Sequence, residues 1–252
     1  MESVVASAPA TGHLSRARRI AFYTCAVLLL ALFSADFALH ALDFANPHHI
    51  HVALHEIFSG MAIASLLSQL IASRRFVAGA QALLVLFAAG WLFDALTLRF
   101  SGIGVFLLLG VAVAALHPLR GAVFSLRGRV RPTLALVSVL GALPLTVYAL
   151  QQAANQRDNF APVHASLGHW EWAATAAALI FLFGWLAALG TAGFRLPAWC
   201  AGLSAATFGL ASILYPGEAS AVGALWGVVA LVGSALFIAL AEWEARRAGN
   251  AA

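Results

Sequence analysis

Residues 20–43 read IAFYTCAVLLLALFSADFALHALD, and no charged side chain occurs in them before Asp36. A helix needs about 20 apolar residues to cross a hydrocarbon core about 30 Å thick. This run has that length and lacks the alternation of a half-buried strand. In hydrocarbon every backbone amide must be paired within the segment or a closed barrel, so an unalternating run of this kind is a helix. It also exceeds the apolar stretch of about 7–15 residues in a secretory signal peptide, and no clean small-residue cleavage site follows it. The run therefore reads as a membrane helix preceded by a polar tail, residues 1–19.

Outward from it, seven more runs of the same kind follow, near 49–73, 76–98, 101–118, 133–152, 164–190, 196–214 and 221–243. Turn or charge signals separate them: Asn46-Pro47, Arg74-Arg75, Arg99 to Gly102, Pro118 through Pro132, Asn155 to Pro162, Gly190 to Pro197 and Pro216-Gly217. Composition agrees. Of 252 residues, 62% are hydrophobic and 10% charged, with mean hydropathy +0.91, whereas soluble domains are about 45–50% apolar and about 25% charged. That excludes a soluble globular domain, a disordered chain and a coiled coil. The expected fold is an all-α integral membrane protein of eight transmembrane helices in a lipid bilayer.

All 14 basic residues are arginine. Without lysine there is no retinal Schiff base, no P-loop and no lysine nucleophile. The missing lysine beside abundant alanine reads as the codon bias of a GC-rich, bacterial genome. The pI near 9.8 is a matter of topology rather than of nucleic-acid binding, because the arginines are segregated. Arg16, Arg18, Arg19, Arg74, Arg75, Arg120, Arg127, Arg129, Arg131, Arg195, Arg246 and Arg247 fall on one side of an eight-span chain, leaving Arg99 and Arg157 on the other. The positive-inside rule then expects a bacterial cytoplasmic (inner) membrane with both termini in the cytoplasm. Cys25 and Cys200 belong to no CxxC or haem-attachment motif and read as reduced packing residues.

Two segments resemble one another. Phe44-Ala45-Asn46-Pro47 leads into His51, His55 and Glu56, and Asn159-Phe160-Ala161-Pro162 leads into His164, His169 and Glu171, given insertions at Gly168 and Trp170. The pattern suggests two tandem four-helix units related by an axis along the membrane normal. The expected division is a tail 1–19, a first unit 20–118, a basic linker 119–132, a second unit 133–244 and a tail 245–252. A site would then lie between the units.

The polar residues gather at the outer ends of the spans. His40, His48, His49, His51, His55, His164 and His169 map there, as do Asp36, Glu56, Asp94 and Glu171, whereas His13 and His117 lie at the basic side. Ionisable groups in hydrocarbon need partners or water. Asp36, His40 and Asp43 share one helical stripe, and His48, His51, His55 and Ser59 share another. Imidazole and carboxylate at this spacing suit zinc, copper or iron, and imidazole also serves haem b. The candidate ligands are His40, His51, His55, His169, Asp36 and Asp94. His55 and His169 are the pair expected to reach a cofactor from opposite units, with Glu56 and Glu171 orienting the imidazoles through their other ring nitrogens.

His55-Glu56 begins like HExxH, but Ser59 stands where the second histidine would be. His117-Pro118 reads as a cationic helix end, and Gly223-xxx-Gly227 as a close-packing motif. Trp170, Trp172, Trp243 and Tyr215 read as interfacial aromatics. The functions open to such a chain are redox chemistry or metal handling at a metal or single haem, and a zinc hydrolase using His51, His55 and Asp94 or Asp36. A proton-coupled or small-solute transporter and a non-catalytic accessory subunit also fit.

Overall fold

The computed structural model describes residues 15–42, 48–99, 103–125, 128–159 and 166–249. Within them the regular structure is helical: α1 (Arg16–Ala41), α2 (His49–Ala72), α3 (Val77–Thr97), α4 (Ile103–Leu116), α5 (Arg120–Val123), α6 (Pro132–Asp158), α7 (His169–Ala188), α8 (Arg195–Leu214) and α9 (Gly223–Gly249). Seven of them, all but α4 and α5, are long and apolar enough to cross a membrane. Within the described residues, which leave out 101–102, the fourth run forms a helix of 14 residues. At about 1.5 Å per residue it is roughly 21 Å long, short of the hydrocarbon core. Asp43, His13, His164, Arg127 and most of the two resembling segments, Phe44–Pro47 and Phe160–Pro162, lie outside the described residues.

Helix ends depart from the expected spans for local reasons. α1 starts inside the supposed tail because the Ser15 hydroxyl accepts the Arg18 N–H at 3.2 Å, an N-cap. α6 opens with Pro132 at its first position, where the missing N–H costs nothing. It continues past 152 through Gln152, Gln156 and Arg157. The basic linker contains the single turn α5.

The helices pack as two rings. α1, α2, α3 and α4 touch in sequence and α4 returns to α1; α6, α7, α8 and α9 do the same, with α9 returning to α6. The rings meet through α2 and α3 on one side and α7 and α8 on the other. These four inner helices are rich in Ala, Gly and Ser, which let backbones approach where no hydrophobic driving force acts between helices. The outer helices α1, α6 and α9 turn Leu28, Leu143 and Leu225 outward, each at least 65% exposed. Gly223-xxx-Gly227 is partly spent inside the chain: Gly227 faces Gly209 of α8 so closely that a Cβ on either would meet the other's carbonyl oxygen at 2.6 Å.

Polar contacts hold both ends of the bundle. At the arginine-rich end, Arg18 donates to the carbonyls of Ala115 (2.8 Å) and His117 (3.0 Å). The cation meeting the end of α4 is thus Arg18, not His117. The buried His117 ring instead accepts the Leu119 N–H on Nδ1 (2.9 Å) and faces the Ser73 carbonyl through Nε2 (3.2 Å). Arg18→Ala is expected to lower stability by about 1–3 kcal/mol, the usual worth of hydrogen bonds from a charged donor. Melting in detergent, with Arg18→Lys retaining part of the loss, checks this.

Candidate metal centre

The site is built from the mouth of α2 upward. His48 precedes α2 without a side-chain cap of its own. The orphan N–H groups of His49 and Ile50 instead donate to Glu218, in the α8–α9 link, at 3.2 and 2.9 Å. A carboxylate at a helix N-terminus satisfies the donors and meets the positive end of the helix dipole. The His49 ring lies 3.0 Å from the same carboxylate through Nδ1 and stacks on Tyr215 with centroids 4.1 Å apart. α2 is thereby clasped to the second ring, and helical spacing points His48 and His51 toward α7.

At that point His48, His51 and His169 offer three ligand atoms, all within 4.8 Å of one another. The His51 and His169 rings are stacked at 4.3 Å and 14°, and His48 lies 4.8 Å from His169. Gly168, at φ 70°, is the N-cap of α7 and makes His169 its first residue. A chain of hydrogen bonds sets the tautomer of the buried His51. Ser220 donates its hydroxyl to Gln152 Oε1 at 3.1 Å, so it accepts from His51 Nε2 at 2.8 Å. Nε2 then carries the hydrogen and Nδ1 the lone pair. This is how metal-binding imidazoles are usually prepared, with one nitrogen held by an outer partner and the other left basic. Tyr148 fixes the segment by donating to the Ser220 carbonyl at 2.7 Å.

One turn further along α2, Asp36, His40 and His55 form a second group whose ligand atoms also lie within 4.8 Å of one another. His55 Nε2 is 3.8 Å and His40 Nδ1 3.5 Å from the Asp36 carboxylate, which also accepts the Ser59 hydroxyl at 2.7 Å. Glu56 approaches the opposite nitrogen of His55 at 3.4 Å, and its other oxygen is buried with no hydrogen-bond partner among the described residues. Beside the group lies a cavity of about 190 Å³, with Asp36, His55 and Ser59 on one wall and Phe33, Phe58 and Trp172 on others. Ser59, the residue that breaks the HExxH pattern, is thus a hydrogen-bond donor to a candidate ligand.

The remaining acids sit apart. Asp94, on α3, and Glu171, on α7, are both buried. Glu171 accepts from Thr97 (3.2 Å) and lies 3.9 Å from Arg99. Through Thr97, Glu171 ties α7 to α3. Of the candidate ligands, His51 and His169 are brought together with His48, and His40 and His55 with Asp36. Asp94 joins neither group. His55 and His169 fall in different groups because His55 lies a full turn deeper in α2 than His51, whereas His169 opens α7. Glu56 stands beside the His55 imidazole, and Glu171 accepts from Thr97.

Sequence reasoning passed over Glu218, Ser220, Gln152 and Tyr148. Polar residues within an apolar helix were the available signal for Gln152 and Tyr148. No known protein family, characterised protein or solved structure matches the chain.

Proposed function

We propose that this is a multi-pass membrane protein that binds a transition metal (zinc, copper or iron) at the histidine-rich end of its bundle and works in metal handling or redox chemistry. The observation that carries this reading is the His48, His51 and His169 group, with His51 prepared by the Ser220–Gln152 relay. Three neutral imidazoles are good donors for each of these metals, and an ion there would have α2 and α7 as its walls. His55 and His169, the pair expected to reach a cofactor from opposite units, belong to different groups, so the proposal draws on His169 with His48 and His51 instead.

The eight-span topology and two-unit organisation belong to the same proposal. Helix starts support them: α2 and α7 begin at 49 and 169, α3 and α8 at 77 and 195, and α4 and α9 at 103 and 223. The contacts α2–α8 and α3–α7 are the pair that a two-fold axis along the bundle would interchange. In this register His49 corresponds to His169, and His51 to Glu171. Arginines at the starts of α1, α6 and α8 and at the end of α9 support cytoplasmic termini in a bacterial inner membrane.

Elemental analysis of protein purified in mild detergent and equilibrated with zinc, copper or iron tests the reading. Stoichiometric retention of one of them after exhaustive dialysis is expected; substoichiometric retention of all three refutes it. Ser220→Ala or Gln152→Leu is expected to weaken metal affinity about 10–100-fold, as removal of an outer partner usually does, checked by competition with a chromogenic chelator.

A second reading, metal-dependent chemistry at Asp36, His40 and His55, is favoured by the adjacent cavity. Three protein ligands with an open position are the arrangement of catalytic zinc. It differs from the His51, His55 and Asp94 set in drawing on α1 and α2 rather than on α2 and α3. Azide added to the Co²⁺-loaded protein is expected to change its visible spectrum, and His55→Ala to abolish the change. An unchanged spectrum removes this reading.

A further inference from the structure

We infer that the arginine-rich end of the bundle holds a binding site for the phosphodiester headgroup of an anionic lipid. A pocket of about 360 Å³ opens there, lined by Arg19 of α1, by Arg74 and Arg75 of the α2–α3 link, and by Phe22, Tyr23 and Pro118. No carboxylate lines it. Several other charges at this end are matched. Glu242 is taken by Arg195 (2.6 Å) and Trp199 (2.8 Å), and Glu244 by Arg131 (3.3 Å) and Thr133 (2.6 Å). Arg18 caps backbone carbonyls, and Arg247 stacks on Trp243 at 4.0 Å. By contrast, the side chains of Arg19, Arg74 and Arg75 have no hydrogen bond or ion pair with any described residue. Three guanidinium groups from two parts of the chain thus surround one cavity without a counter-charge.

Guanidinium is the side chain whose paired N–H donors match phosphate oxygens. Basic pockets between membrane helices are where anionic headgroups bind. A lipid rather than a soluble anion is indicated by the flanks. Ile20 is 55% and Ile71 77% exposed, next in sequence or a turn away from the pocket arginines, and they offer apolar surface for acyl chains where the headgroup enters. Tyr23, 37% exposed, adds an aromatic wall beside the arginines.

The test uses the full chain in nanodiscs of phosphatidylcholine with or without phosphatidylglycerol. Retained lipid is read by native mass spectrometry and stability by thermal melting, and inorganic phosphate is added in a separate arm. Wild type is expected to retain one phosphatidylglycerol per chain and to melt higher in its presence. The variant Arg19→Gln, Arg74→Gln, Arg75→Gln is expected to lose at least tenfold in retention and all of the melting shift. It should melt like wild type in phosphatidylcholine alone, which shows that it is folded. Arg246→Gln with Arg247→Gln, which removes charge from the same end outside the pocket, is expected to keep both effects. Equal retention by wild type and the triple variant overturns the inference. So does equal loss by the α9 variant, which would mean diffuse attraction, or a phosphate-induced shift as large as that of the lipid, which would mean a soluble-anion site.

Discussion

Alanine at both His51 and His169 is expected to abolish stoichiometric metal binding. These two stacked rings supply two of the three donors in the first group, and His48 alone cannot hold an ion against water or chelator. The loss should exceed the about 10–100-fold expected for an outer partner such as Ser220. The fold should survive. Ser220 keeps its bond to Gln152, and the α2 mouth keeps its clasp to Glu218. Melting in detergent would confirm that the metal-free variant is folded. His40→Ala with His55→Ala is the companion measurement. If this variant loses the metal while the His51 and His169 variant keeps it, the ion belongs to the second group. If both keep the wild-type metal content, the metal-binding reading fails altogether.

Leucine at Gly209 is expected to separate α8 from α9 and lower stability by about 3 kcal/mol or more, the upper end of overpacking effects. A Cβ there would meet the Gly227 carbonyl oxygen at 2.6 Å, the Ala230 Cβ at 3.0 Å and the Leu231 backbone nitrogen at 3.3 Å. Two of these obstacles are backbone, so the contact cannot be relieved by a rotamer change. Gly227→Leu should act alike, since its Cβ would meet the Gly209 carbonyl oxygen and the Ile213 side chain. Gly233→Leu, in the same helix α9 with nothing within 4 Å, should be silent. Melting or denaturation by a harsh detergent separates these outcomes. Unchanged stability of the Gly227 variant together with loss of a dimer would return the motif to a role between chains.

The helical, membrane-spanning character of the chain was legible because apolar run length is a direct physical requirement of the bilayer. The gathering of histidines and acids at one end was legible too, because antiparallel connections carry residues at alternate span ends to the same level. How they would be partitioned was not. Whether His169 meets His51 or His55 depends on one turn of axial offset between α2 and α7, and Gly168 with its left-handed backbone sets that offset locally. That Asp94 belongs to neither histidine group was likewise not legible from spacing along the chain. Among the expected belt aromatics, Trp170 is buried and Trp172 sits against His55 with centroids 4.7 Å apart, whereas Trp243 is 42% exposed. Residue type says that a ring suits an interface; it does not say which interface.

The two histidine groups hang from one rod. His51 and His55 are successive turns of α2, about 6 Å apart along its axis. Glu218 pins that rod at its mouth, while Gly60, a turn and a half beyond His55, has no neighbour within 4 Å of where a side chain would begin. The placement of α2 therefore sets both groups at once, because the backbone of one helix fixes the spacing between His51 and His55.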